Sequence, residues 1–303
     1  MGQRFSYGGQ AVIEGVMMRG RSNLAVAVRR RDGIVLREER LQPWTQRYPV
    51  LGWPFVRGSV ALIESLVMGI RALSFSASQF AEEEEAELTT KDLVMTIGFA
   101  VLLTVGVFIA LPAYVVRLVQ AYIGSNVLLN IVEGLIKISL FLLYILGISL
   151  MQDIRRVFEY HGAEHKAINC YEAGEPLTVE NVAKYTTVHR RCGTNFLLIV
   201  FFTSIFLFSF FGRPPFVQRV LLHIALLPAV AGIAYELIRL AGRPNRPWWV
   251  EVIAAPGLLL QKLTTREPDS DQIEVAIRAL QVVVDRDQAK LAAVPGEQCP
   301  GVH

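Results

Sequence analysis

The sequence predicts a mainly α, polytopic membrane protein with about four transmembrane helices, a small N-terminal β element and amphipathic interfacial helices. Three observations predict that class. Hydrophobic residues make up 52% of the 303 residues and mean hydropathy is +0.39, above the range of soluble globular domains. The apolar residues gather into long helical runs divided by short polar loops. Residues 1–52 depart from this, with short β-prone runs and turn dipeptides instead of an apolar stretch. A net charge of +3 with dispersed basic residues argues against a nucleic-acid surface. Three cysteines without framework spacing argue against a disulfide-built secreted domain. The opening MGQRFSYGGQ lacks the apolar core of a signal peptide, so insertion is expected to use the internal spans.

Within residues 1–52, the glycine-punctuated run Tyr7–Gly15 reads as tight turns or close backbone approach more than as a regular element. Leu24–Arg30 and Ile34–Glu39 are β-prone and joined through Arg31-Asp32-Gly33, whose Asp-Gly is a hairpin signal. Residues 53–88 form an amphipathic segment and an acidic linker. Trp53-Pro54 opens a helix over Phe55–Phe80, in which Arg57, Glu64 and Arg71 recur at heptad spacing on one narrow stripe. Such a helix suits the membrane interface or a groove against other helices, and Glu82–Glu87 reads as solvated.

Residues 89–151 carry the first two spans. Thr89-Thr90-Lys91-Asp92 caps Leu93–Leu118, kinked at Pro112, and Asn126–Met151 follows with Glu133 and Lys137 one turn apart as a self-neutralising pair. Residues 152–195 are a polar segment. Residues 196–241 carry the spans Phe196–Phe211 and Phe216–Leu240, the latter holding His223, read as a hydrogen-bonded structural residue, and Glu236. In residues 242–303, Trp248 and Trp249 sit at interface depth and Val250–Leu263 lies on the membrane. Glu267–Asp271 opens a helix with Ile273, Ile277, Leu280 and Val284 on one face, and a disordered tail containing Cys299 follows residue 287. Basic residues concentrate after the second span (Arg155, Arg156, Lys166, Lys184, Arg190, Arg191) and after the fourth (Arg239, Arg243, Arg246, Lys262, Arg266). The positive-inside rule therefore places both termini and the 152–195 segment in the cytoplasm.

The chemistry concentrates in Tyr160–Phe196, which holds three of the five histidines (His161, His165, His189) and two of the three cysteines (Cys170, Cys192). His161-Gly162-Ala163-Glu164-His165 has the form H-x-x-E-H, the inverse of the zincin motif. On a helix, two histidines four apart share a face and grip one Zn2+ or another divalent metal, while the glutamate takes a proton from water. The helix premise holds locally, since Met151–Tyr171 has no proline and Gly174 with Pro176 ends it. His189-Arg190-Arg191-Cys192 supplies a second donor cluster. If His161, His165, His189 and Cys192 all bind, the tetrahedron is closed and the metal is structural; if three protein groups bind, a position stays open and Glu164 serves as general base. Glu172, Glu236 and Glu14 are the other candidates for third ligand, and Cys170 reads as a packed core cysteine.

Four stretches together resemble one family: GGQAVIEGVMMRG (Gly8–Gly20), YHGAEHKAINCYEAGE (Tyr160–Glu175), HRRCGTNF (His189–Phe196) and LTTREPDSDQIEVAIRAL (Leu263–Leu280). They are similar to the YqhQ-like family of bacterial membrane proteins of unknown function. The resemblance spans nearly the whole chain. It implies a bacterial inner (cytoplasmic) membrane location and a metal-dependent enzyme, the latter through residues such as His161, Glu164 and His165.

The expected function is a zinc-dependent membrane hydrolase, with peptides as the leading substrate class, working at the cytoplasmic face. In it His161 and His165 bind the metal, Cys192 or His189 completes the protein ligands, and Glu164 activates water. The first alternative is a non-enzymatic scaffold or assembly factor with a structural metal. A transporter built on Glu133, Lys137, His223 and Glu236 ranks last, since the spans show no internal repeat. Expected partners are membrane lipids, a protein or peptide substrate and a second copy of the chain, with no nucleic acid.

Overall fold

The computed structural model describes residues 7–80, 90–212, 214–242 and 247–293. The acidic run Glu82–Glu87 and Cys299 lie outside these residues. Four antiparallel strands, β1 (Gly8–Val12), β2 (Gly15–Arg19), β3 (Asn23–Arg30) and β4 (Gly33–Arg40), form a sheet in sequence order. The β3–β4 hairpin is the one its Asp-Gly turn predicts, pairing Arg30 with Gly33. The glycine-punctuated run before it, expected as tight turns or close backbone approach more than as a regular element, is the β1–β2 hairpin, with Glu14 in the turn at φ 48°. Its glycines answer crowding inside a sheet: a Cβ on Gly15 would lie 2.3 Å from the Ala27 carbonyl oxygen.

The chain continues through α1 (Trp44–Arg47), a 3-10 turn (Pro49–Gly52) and α2 (Val56–Ser78). Next come α3 (Thr90–Val105) and α4 (Leu111–Val119), joined by a π-helical turn at Gly106–Ala110. That turn absorbs the hydrogen bond Pro112 removes, so the predicted kink takes the form of a π-bulge. The remaining helices are α5 (Asn126–Ser149), α6 (Gln152–Ala173), α7 (Val179–Ala183), α8 (Gly193–Phe208), α9 (Phe216–Ala241), α10 (Trp248–Thr264) and α11 (Ser270–Ala293).

Among the described residues, four helical stretches are long and apolar enough to cross a membrane: Val56–Ser78, Val94–Val119, Asn126–Ser149 and Phe216–Ala241. This set differs from the expected one at two places. Helix α2 qualifies, while α8, expected as Phe196–Phe211, runs for 16 residues from its Cys192 cap. At 1.5 Å per residue that is about 24 Å, short of a hydrocarbon core of about 30 Å.

The polar part of the chain joins distant segments in one core. One sheet face, with Val16, Met18, Ala25 and Ala27, packs on Tyr160, Ala163 and Ala167 of α6 and on Val275, Ala276, Leu280 and Val283 of α11. The opposite face, with Val12, Met17, Leu24 and Val26, packs on Ala72 of α2. Asp269 and Gln272 cap α11 reciprocally, the Gln272 amide donating to Asp269 Oδ1 at 2.8 Å and the Asp269 amide to Gln272 Oε1 at 2.9 Å. All four residues of the predicted apolar face of α11 are buried. The helix continues to Ala293, beyond residue 287, because Asp287 is buried and accepts the Arg21 amide at 2.7 Å.

The apolar bundle holds a buried polar cluster far from this core. Glu133 Oε1 lies 2.8 Å from Lys137 Nζ and 2.7 Å from His223 Nε2, and its Oε2 accepts the Arg219 Nε–H at 2.7 Å. Arg219 also donates to Asn130 Oδ1 at 2.7 Å, and Asn130 donates to the Phe208 carbonyl at 2.8 Å. The pair expected from α5 alone is therefore a knot across α5, α8 and α9, and His223 has the structural role foreseen for it. Glu133 faces the basic side chains of Lys137 and Arg219, and all three residues are at or below 7% exposure. Glu133→Ala leaves both cations unpaired in an apolar environment. It is expected to destabilise the detergent-solubilised protein by about 3–5 kcal/mol, measured by denaturant unfolding.

Candidate metal centre

Helix α6 places the site. It has no internal proline and stops at Gly174, whose φ of 85° and amide bond to the Tyr171 carbonyl (3.0 Å) make a left-handed cap. His161 and His165 stand one turn apart on it, with ring centroids 4.4 Å apart. Each ring is held by a carbonyl from another part of the chain. His161 Nδ1 lies 2.9 Å from the Thr264 oxygen, at the C-terminal end of α10, and His165 Nδ1 lies 2.6 Å from the Thr187 oxygen. A carbonyl only accepts, so both Nδ1 atoms carry the proton and both Nε2 lone pairs are free for another purpose.

Those lone pairs converge on Cys192. Its Sγ is 3.3 Å from His161 Nε2, also bonds to His165, and accepts the Thr194 amide at 3.4 Å as the cap of α8. The N-terminal end of a helix favours negative charge at that position. The ligand atoms of His161, His165 and Cys192 all lie within 4.8 Å of one another. In tetrahedral zinc coordination, with Zn–N about 2.0 Å and Zn–S about 2.3 Å, nitrogen and sulfur sit about 3.5 Å apart. The donor set and the fixed tautomers fit a divalent metal, carbonyl-anchored imidazoles being the usual outer support of such ions.

The remaining candidates go elsewhere. His189 has its backbone clamped by Gln261, which accepts its amide at 2.8 Å and donates to its carbonyl at 2.8 Å. Its Nε2 faces Glu172 at 3.7 Å, outside the three-atom group. Glu172 also pairs with Arg191. Burial pushes its carboxyl up, but the His189 hydrogen bond and the Arg191 guanidinium together hold it below the usual carboxylate range. Glu14 is bound by Arg156 and by the Tyr160 hydroxyl at 3.2 Å, and Glu236 by Arg57 at 2.7 and 2.6 Å. Arg57 belongs to α2, so this pair joins α2 to α9. Cys170 is a packed core cysteine, its thiol pushed up by burial.

Glu164 lies beside the group without joining it. It is 4% exposed and accepts the Gly9 amide of β1. Burial raises its carboxyl above the ordinary value, opposed by the charges of His161 and His189. Burial thus makes this carboxylate a stronger base than an exposed one.

The residues that sequence reasoning missed are the Thr187 and Thr264 carbonyls, which aim the two imidazoles, Gln261, which holds the His189 backbone, and Gly162. The one available signal was Gly162, a glycine inside an otherwise strong helix. A Cβ there would meet the Arg266 carbonyl oxygen at 2.0 Å, and the Arg266 amide donates to the Phe158 carbonyl at 2.9 Å. This close pass brings Thr264 within reach of His161. Gly162→Ala should push the 264–266 segment off α6 and weaken zinc binding by about 10–100-fold, the range for loss of outer-sphere support, as read by competition with a chelating dye.

Comparison with known proteins agrees on kinship. A relative from Bacillus subtilis (strain 168), "Uncharacterized protein YqhQ", is 35% identical over 288 residues, covering 90% of this chain and 91% of the relative. No solved structure matches. A family model described as "Protein of unknown function (DUF1385)" matches residues 53–286. The chain therefore belongs to the DUF1385 family, proteins of unknown function.

Proposed function

We propose that this protein is a zinc-dependent membrane hydrolase, with peptides as its substrate class, whose site lies at the cytoplasmic face of a bacterial inner membrane. The observation that carries the reading is the ligand count. Among the described residues three donors converge, His161, His165 and Cys192, and the fourth expected donor, His189, faces Glu172 instead. Three protein ligands with an open position are the pattern of catalytic zinc, and four that of structural zinc.

When bound, such an ion supplies a Lewis acid that polarises a carbonyl and makes water acidic. The chain's own groups do the rest. His161 and His165 present Nε2, locked by the Thr264 and Thr187 carbonyls, and Cys192 presents its sulfur at the start of α8. Glu164 takes a proton from water and returns it to the leaving group, the buried carboxyl being suited to carry it. The distribution of Lys and Arg around the apolar helices supports the cytoplasmic assignment.

A second reading is a scaffold in which the metal acts as a clip. It is favoured by the spread of the supporting groups: α6, α8, α10 and the loop at Thr187 all touch the site. In that reading His189 turns from Glu172 and closes the tetrahedron.

Purified protein should hold roughly one zinc per chain by mass spectrometry of metals, as a single site requires. His161→Ala should lose it. Glu164→Gln should keep the metal yet lose hydrolysis of a fluorogenic peptide library in lipid vesicles, by about 100-fold or more. Full metal content in His161→Ala/His165→Ala excludes the assignment. Wild-type turnover that Glu164→Gln leaves unchanged removes Glu164 from the reaction.

A further inference from the structure

Helix α2 has the length and apolarity of a membrane span, but its contacts at both ends lie on one side of the bundle. The metal-site end is marked by several contacts. The start of α8 carries Cys192, the end of α9 at Ala241 packs on Val250 and Ala254 of α10, and β1 meets Glu164 through Gly9. The opposite end is marked by Tyr114 of α4 against Phe216, the first residue of α9. The segment from α3 to α4 runs toward that opposite end, so α3 starts at the metal-site end. The sheet, from which the chain enters α2, is at the metal-site end too. A helix entered and left on the same side crosses the bilayer an even number of times, and a single helix that does so crosses it zero times.

It nevertheless reaches inward. A Cβ on Gly58 would meet Gly232 Cα at 2.8 Å, and the Ser59 hydroxyl donates to the Pro228 carbonyl at 2.8 Å. Gly232 lies nine residues, about 13 Å, before the end of α9. The other half of α2 is in the sheet core: Ala72 is 2% exposed, Arg37 stacks over Phe75, and Glu64 pairs with Arg19 at 3.4 Å. Glu64 also accepts the Trp44 amide at 2.6 Å, so the chain before α2 descends alongside it.

We propose that residues 44–78 form a re-entrant hairpin. Its tip at Trp53–Phe55 sits within the leaflet on the metal-site side, and its partner is the acyl chains of that leaflet. The apolar residues Trp53, Phe55, Leu62, Ile63, Leu66 and Leu73 are exposed, on the surface α2 presents away from the sheet and α9. Two of its three charges turn inward, Arg57 to Glu236 and Glu64 to Arg19, and the third, Arg71, is exposed in the half nearer the sheet, beside Arg37 and Glu39. Irregular backbone at membrane depth needs protein partners, and the tip has them. The Arg57 amide donates to the Trp53 carbonyl at 3.0 Å, the Phe55 amide donates to Glu236, and the Phe55 carbonyl rests on Gly232.

The test is a depth profile of the full chain in lipid bilayers. Trp44, Trp248 and Trp249 are replaced by Phe, leaving Trp53 as the sole tryptophan. Companion proteins replace Trp53 as well and carry Leu66→Trp or Leu73→Trp. Quenching is read with lipids brominated near the headgroup or deep in the acyl chain. Deep-bromine quenching is expected to be strongest at position 53 and to fall through 66 to 73. A maximum at 66, with 53 and 73 both shallow, means a span and overturns the proposal. Equal shallow quenching at all three positions means an in-plane helix and overturns it as well. If the tryptophan-depleted protein does not fold, photolabelling of the unsubstituted chain by lipids with shallow or terminal diazirines reads the same profile, with the same outcomes decisive.

Discussion

The site depends on two hydrogen bonds made by the wrong side of each imidazole, the side that binds no metal. With Nδ1 of His161 and His165 each spent on a carbonyl, the tautomer is fixed and each ring is locked about its side-chain torsions. Both Nε2 atoms then point to the volume that Cys192 also faces. The carbonyls themselves have reason to be there. Thr264 ends α10, so its oxygen lacks an intrahelical partner, and His161 satisfies it. The Thr187 carbonyl sits in the loop before α8, close to the residue that Gln261 clamps.

This assembly draws on segments far apart in the chain, and the two halves of the molecule explain how it is held. The sheet, α6 and α11 form one continuous core, which fixes α6 on the face that carries Glu164. Helices α8 and α10 meet over Asn195, where Gly257 removes the side chain that would collide at 1.9 Å. Leu260 and Leu198 pack with Phe141 and Ile145 of α5, tying this junction to the apolar bundle. The ligand set thus stands at the seam between the polar core and the apolar helices.

Much of this was legible in the residues. The H-x-x-E-H spacing and the absence of proline put both histidines on one face of α6, and the H-x-x-C pattern drew attention to Cys192 before its partner was visible. The apolar periodicity of α11 and the Asp-Gly hairpin were equally plain. What escaped has a common cause. His189 is held apart from the His161–His165–Cys192 group by Gln261 and Glu172, contacts between separate elements that no local pattern encodes. The β1–β2 hairpin was hidden because close approach at its glycines occurs within paired strands instead of interrupting them. The joining of Arg219 and His223 to the Glu133–Lys137 pair required knowing which helices are neighbours. For α2, hydropathy measures length and composition only, and its two ends are placed by tertiary contacts.

X-ray absorption at the zinc edge on the zinc-loaded protein examines the coordination directly. The geometry calls for two imidazole nitrogens and one sulfur, with a light non-imidazole atom in the remaining position, and for loss of the sulfur shell in Cys192→Ser. A spectrum without sulfur, or one with three imidazoles and a sulfur that closes the tetrahedron, contradicts the open catalytic centre.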